Sequence, residues 1–339
     1  MISHSKPYIT ELDLNAVKQQ LSSGMISEGR KTEEFENCVS TYTGIKYCIA
    51  TSSGTSAIEL ALHSLEIKKD DEIILPSYVC NSVYTAILNY GAKPVLCDIG
   101  DSWYMTPNDV KKVFSERTRA IILVQIFGIN SWDNEWKNFN TPVIEDNCQA
   151  FGYEMNGEIA PLNGDISVYS FHATKCLTTG EGGMLATNDM ENYERAKKCK
   201  LNLTPHCKMT DLQAALGISQ LMQYDTMKEK RKEIAERYFN ELPIDLLSNL
   251  LKIKNRSIFF RFPLNIKNIS IEDCILKFKL KNIAVRRGVD SLLHRQYNLA
   301  DSEFTNAVTT FNQTLSIPIY PALTDKEVND IIEKVNEIL

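Results

Sequence analysis

From about residue 45 to residue 190, short β-branched and aliphatic runs alternate with stretches of helical periodicity, the pattern of parallel strands joined by crossover helices. The runs are Tyr47–Thr51, Glu72–Leu75, Pro94–Asp98, Ala120–Gln125, Val143–Asp146, Ser167–Ser170 and Gly183–Thr187. They predict a seven-stranded, mostly parallel sheet covered on both faces. Between them, Ser56–Leu65 places Ala57, Leu60, Ala61 and Leu65 at helical spacing, and Ser82–Leu88 and Asn108–Phe114 read as further helices. Beyond Thr210 the chain is helical to about Leu242, with Leu212, Ala215, Leu216, Ser219, Met222 and Met227 along one side, as in a connector between domains. Extended segments at Ile258–Phe262 and Ala284–Arg286, a helix at Ile271–Leu280 and a closing helix over Asp325–Leu339 that begins at Thr324 complete a smaller α+β unit. The expected division is a large domain over residues 1–230 and a small one over 231–339, in a chain without internal repeats.

Composition narrows the function. Hydrophobic residues make up 43% and charged residues 24% of the 339 residues, as in ordinary globular proteins. A net charge of −6 lacks the electropositive excess of a nucleic-acid binder. No apolar run is long enough to span a bilayer, and Met1-Ile2-Ser3-His4-Ser5-Lys6 has no signal-peptide core, so the expectation is a cytoplasmic protein without a membrane partner. Nine cysteines scattered from Cys38 to Cys274 form no Cys-x-x-Cys pair and read as reduced thiols, and five histidines at unrelated spacings offer no metal site.

Three segments carry chemistry. Thr51-Ser52-Ser53-Gly54-Thr55-Ser56 joins a strand to a helix, where free N–H groups and the helix dipole favour an anion and Gly54 permits close approach; taken alone, it reads more readily as an ordinary capped turn. Val143-Ile144-Glu145-Asp146-Asn147-Cys148-Gln149-Ala150 delivers two acids to a strand end, where ligands of open α/β sheets bind, although a strand-end acid is often a cap or an ion-pair partner. Ser170-Phe171-His172-Ala173-Thr174-Lys175, followed by Thr179-Gly180-Glu181-Gly182-Gly183, sets one lysine between an apolar strand and a glycine turn, an unusual place for a solvated lysine. Partial burial there favours the neutral, nucleophilic amine, and Ser170 is placed to hold a phosphate.

These segments, together with Ser27-Glu28-Gly29, Phe35-Glu36, Pro76-Ser77, Gly164-Asp165, Leu212-Gln213-Ala214-Ala215 and Leu315-Ser316-Ile317-Pro318, resemble the DegT/StrS family of fold-type I pyridoxal-phosphate (PLP) enzymes, best known as sugar-nucleotide aminotransferases. The resemblance implies that Lys175 holds PLP covalently and acts as the base, Asp146 pairs with the pyridine nitrogen, Gln149 meets the ring hydroxyl, and Gly54, Thr55 and Ser170 bind the phosphate. It further implies a glutamate donor, a nucleotide-linked keto-deoxysugar acceptor, and a homodimer with shared active sites.

The chain departs from the family in places. Cys80 stands where many relatives stack an aromatic residue on the ring, and His206 stands where an asparagine reaches the neighbouring subunit's phosphate. His294, with Arg286 and Arg287, falls in a segment that resembles one forming the sugar pocket; two adjacent arginines can grip a diphosphate or be plain solvated cations. A PLP-dependent sugar dehydratase is the enzymatic alternative, opposed by Lys175 because those relatives carry histidine there. A non-catalytic, PLP-binding scaffold is the other.

Overall fold

The computed structural model describes residues 1–101, 103–155, 157–202 and 207–339. Its large sheet contains β1 (Tyr47–Thr51), β2 (Glu72–Pro76), β3 (Lys93–Cys97), β4 (Thr118–Val124), β5 (Val143–Asp146), β8 (Ile166–Ser170) and β9 (Gly183–Thr187), in the order β1-β9-β8-β5-β4-β2-β3. A two-stranded hairpin of β6 (Glu154–Met155) and β7 (Glu158–Ile159) lies between β5 and β8 in the chain. Strand β9 runs against both of its neighbours and the other six strands share one direction. The sheet is therefore seven-stranded and mostly parallel, as the alternation of runs predicts.

The strands read as unbroken apolar runs because each face has its own cover. In β4, Ala120, Ile122 and Val124 enter one core while Ile121 and Leu123 enter another. The first core is closed by α3 (Gly54–Ser64), α4 (Asn81–Tyr90) and α6 (Met190–Asn202). The opposite face packs on α2 (Arg30–Thr43), α7 (Asp211–Met222) and α8 (Tyr224–Glu241) near β1 and β9, and on α5 (Pro107–Lys111) with Trp132 and Trp136 near β2 to β5.

The predicted connector after Thr210 is two helices, broken at Gln223, whose side chain donates to Asp13 Oδ1 at 3.2 Å and accepts from Thr10 Oγ1 at 2.9 Å. Asp13 belongs to α1 (Glu11–Ser22), a helix with no clear sequence signal because Leu12, Leu14 and Leu21 are exposed.

The second sheet is antiparallel, in the order β10-β12-β11, with β10 (Phe262–Asn265), β11 (Arg286–Arg287) and β12 (Thr314–Ile317). Its core includes Leu247 of α9 (Ile244–Leu251), Phe278 of α10 (Ile271–Leu280) and Ile331 of α13 (Asp325–Ile338); α11 (Leu293–Gln296) and α12 (Thr305–Gln313) lie between β11 and β12 in the chain. Strand β10 begins four residues later than the expected Ile258, because Phe259 adopts a left-handed backbone, φ 53°, that no ladder accommodates. Residues 1–6 join this sheet's surroundings: Ile2 N–H donates to Asn282 O at 2.7 Å, and His4 shares a 2.9 Å hydrogen bond with Ser316.

Candidate active site

Strand alternation sends the two acids of β5 to different fates. Glu145 Oε1 accepts N–H groups from Gly164 at 2.6 Å and Asn163 at 2.9 Å, and Asn147 donates to Oε2 at 3.4 Å. Its carboxylate is consumed in holding the loop before β8. Asp146 is only 4% exposed, accepts the Cys148 N–H at 3.0 Å, and has no ion pair within 4 Å among the described residues. Burial pushes its carboxyl above the usual range, opposed by hydrogen bonding from Cys148 and by the charge of Lys175.

Asp146 opens into a cavity of about 260 Å³ at the carboxyl-terminal edge of the sheet. Helix α3 presents Gly54 and Thr55 there with its first turn, where N–H groups have no helical acceptor. Ser53 caps that helix by accepting from Ser56 N–H at 3.1 Å. Glycine is required at position 54, since a Cβ there would lie 2.9 Å from both Cys148 Sγ and Ser170 Cβ.

From β8, Ser170 borders the cavity and the chain then folds into a compact turn: Lys175 N–H donates to His172 O at 2.9 Å, Thr179 N–H to Phe171 O at 2.9 Å, and Phe171 N–H to Gly182 O at 2.8 Å. This turn holds Lys175 half-buried, with Nζ 5.1 Å from the centroid of the Phe260 ring. Gln149 Oε1 accepts from Phe127 N–H at 2.8 Å, which leaves its NH₂ group as the donor available to a ligand. Cys80, the N-cap of α4, is exposed, with Sγ 2.9 Å from Ser82 Oγ.

Gly54, Thr55, Cys80, Asp146, Gln149, Ser170 and Lys175 thus line one cavity. His206 lies outside the described residues. The expected substrate-side residues are not brought to the same wall. His294 is fully buried, shares a 2.6 Å hydrogen bond through Nδ1 with Ser77 Oγ, faces Asp301 Oδ1 through Nε2 at 3.0 Å, and stacks on Phe304 at 4.3 Å. Both ring nitrogens and one ring face are thus engaged by protein groups. Arg287 pairs with Glu272, donates to Phe311 O at 2.8 Å and lies over the Phe311 ring. Arg286 is exposed and borders a second, smaller cavity.

Cys148, Thr174 and Glu181 also line the main cavity, and sequence reasoning assigned them no role although all sit inside quoted motifs. Phe260 gave no signal, because an aromatic residue in an apolar run reads as core. Among the described residues, no group of three or more His, Cys, Asp or Glu could hold a metal ion, and no helix is long and apolar enough to cross a membrane.

With sheet order, strand-end acid and turn lysine in place, comparison with known proteins gives the class. The chain belongs to the DegT/DnrJ/EryC1/StrS aminotransferase family, whose model matches residues 7–336. It is 30% identical to the spore coat polysaccharide biosynthesis protein SpsC of Bacillus subtilis, covering 100% of this chain and 97% of SpsC. It is 29% identical to GDP-perosamine synthase of Escherichia coli O157:H7, over 98% of this chain and 97% of the synthase. Among solved structures, the sugar aminotransferase Spr1654 of Streptococcus pneumoniae in its PLP form matches with a TM-score of 0.87 at 26% identity, covering 99% of each chain.

Proposed function

We propose that this PLP-dependent aminotransferase moves an amino group from an amino acid, glutamate by family resemblance, to a keto-deoxysugar carried on a nucleotide. We place the cavity in a large domain over residues 1–230, completed by a small domain over 231–339, in a cytoplasmic homodimer. The observation that carries this reading is the meeting of Lys175, Asp146 and the first turn of α3 on one cavity.

The residues suit the cofactor. A buried carboxylate with no ion-pair partner, already raised by burial, is matched by a protonated ring nitrogen, which restores its charge. Gly54 and Thr55 N–H groups with the Ser170 hydroxyl suit a phosphate. When bound, PLP supplies the carbonyl to which an amine attaches and the ring that accepts the electron pair left on Cα.

The chain supplies position and proton transfer. Lys175 Nζ would hold the cofactor and, as a free amine, would accept the proton from the donor's Cα. Asp146 would keep the ring nitrogen protonated, and each unit of pKa shift is about 1.4 kcal/mol of that preference. The Gln149 NH₂ group would meet the ring hydroxyl, its Oε1 already held by Phe127 N–H. A lysine at position 175 favours transamination over the dehydratase alternative, and the full cavity set disfavours a scaffold.

Incubating the PLP-loaded protein with glutamate and a panel of nucleotide-linked ketosugars should yield an amino sugar detectable by mass. Borohydride reduction should place a pyridoxyl group on Lys175. Failure of every amino donor to convert the cofactor to its amine form would sink the proposal.

A further inference from the structure

Beside the Lys175 turn lies a second cavity of about 20 Å³, lined by residues of the N-terminal segment (His4, Lys6), the turn itself (Thr174), α8 (Arg231) and the small-sheet side (Arg261, Arg286). Four of these are permanent cations. No ion pair joins any of the four to a carboxylate among the described residues, and no acid lines the cavity.

Carbonyl groups orient two of the arginines without neutralising them. Arg231, 5% exposed, donates through Nη1 to Phe259 O at 3.2 Å and Ile319 O at 2.8 Å, while its buried Nε has no hydrogen-bond partner. Arg261 donates to Gly288 O at 2.9 Å. Concentrated positive charge shows in its neighbours: burial first, then Arg261 and Arg286, drive His4 down to about 3. Burial and Arg286 likewise lower Arg261. A buried, unpaired guanidinium nitrogen in an acid-free cavity is costly unless an anion completes it.

Location and size select the anion. The Phe260 ring carries the Lys175 ammonium 5.1 Å from its centroid and the Arg261 guanidinium 5.7 Å from it, so the cationic cavity adjoins the reacting amine. A volume of about 20 Å³ admits roughly one water-sized group. That admits one carboxylate oxygen and is too small for a diphosphate.

We infer that this cavity is the seat for a carboxylate of the amino-acid donor, held by Arg231, Arg261 and Arg286. The assignment rests on the aminotransferase reading and extends it to donor recognition. It gives Arg286, expected from sequence to meet the nucleotide diphosphate, a different ligand. The N-terminal segment, pinned through Ile2 to residues 282 and 284, closes the seat with His4 and Lys6.

The test is calorimetric titration of the PLP-loaded protein with glutarate, a dicarboxylate with no amine to react, alongside UDP and GDP. Arg286→Met changes an exposed residue and is expected to keep the fold and the bound-cofactor absorbance. It should weaken glutarate about 10- to 100-fold, the worth of one charge-assisted hydrogen bond, and leave both nucleotides unaffected. Arg261→Met, read with its melting temperature, should weaken glutarate as well. The inference is overturned if neither variant changes glutarate affinity, or if the loss falls on UDP or GDP. Glutarate binding that depends on Arg286 in a protein that aminates no ketosugar would uphold the carboxylate seat and defeat the acceptor assignment. Amination with Arg286-independent glutarate binding would do the reverse.

Discussion

At the ends of β5 and β8, Asp146 and Lys175 are left with few protein partners, whereas in segment 286–301 Arg287, His294 and Asp301 are engaged by protein groups on several sides. Both regions offer the side-chain types that bind charged ligands. Asp146 and Lys175 keep that capacity open toward their cavity, whereas Arg287 and His294 spend theirs on protein groups. The lesson is that residue type proposes a site while the local hydrogen-bond account decides it.

The largest expected effect tests the open region. Lys175→Ala should lower single-turnover amino transfer by about 10²- to 10⁴-fold, the usual worth of a positioned acid–base group. Its melting temperature should move little, because among the described residues the amine makes no hydrogen bond or ion pair and acts through the Phe260 ring and its charge near Asp146. A variant that keeps full turnover would break the comparison at its stronger end.

Asp146→Asn keeps shape and removes charge, and should cost about 10-fold or more per unit of pKa shift it erases at the ring nitrogen. The cofactor-free protein adds a pH signature. Because burial raises the folded carboxyl above its unfolded value of about 3.9, the unfolded state releases the proton first as pH rises. Stability from this group is complete below that value and is lost as pH climbs through the raised one. Melting curves from pH 4 upward should show a wild-type decline that Asp146→Asn flattens and bound PLP reduces.

In the closed region, His294→Ala should destabilise by about 2–4 kcal/mol, from a cavity plus two lost partners, read as a shift in urea midpoint. Turnover per folded molecule should be nearly preserved; a collapse of kcat without a stability loss would return His294 to the substrate pocket. The smallest effect belongs to Cys80→Tyr. An aromatic face on the ring is worth about 0.5–1.5 kcal/mol and should slow PLP dissociation by about 10-fold at most.

The large sheet was legible because buried parallel strands leave continuous apolar runs, and all seven predicted runs coincide with strands to within two residues. Seven predicted site residues meet on one cavity for a related reason: strand ends and helix starts fix where short motifs point. The small sheet was harder. Phe259 in a left-handed conformation delays β10, and the four residues of β12 are too few to show an alternation of their own. Helix α1 hid its periodicity behind exposed leucines. The setting of His294 was not legible because sequence cannot show that Ser77, more than 200 positions away, meets its ring nitrogen. Arg231 and Arg261 went unnoticed because their surplus charge exists only once three distant segments converge.

The clamp on Glu145 reaches beyond its own loop. Neighbouring residues of a strand point to opposite faces, so a slip of β5 by one position would turn Asp146 away from the cavity and present its neighbour. With the Asn163 and Gly164 amides gripping Glu145, such a slip would strand a buried acid without donors. Glu145 therefore works as a detent, holding the strand at the one setting in which the adjacent acid faces the cavity.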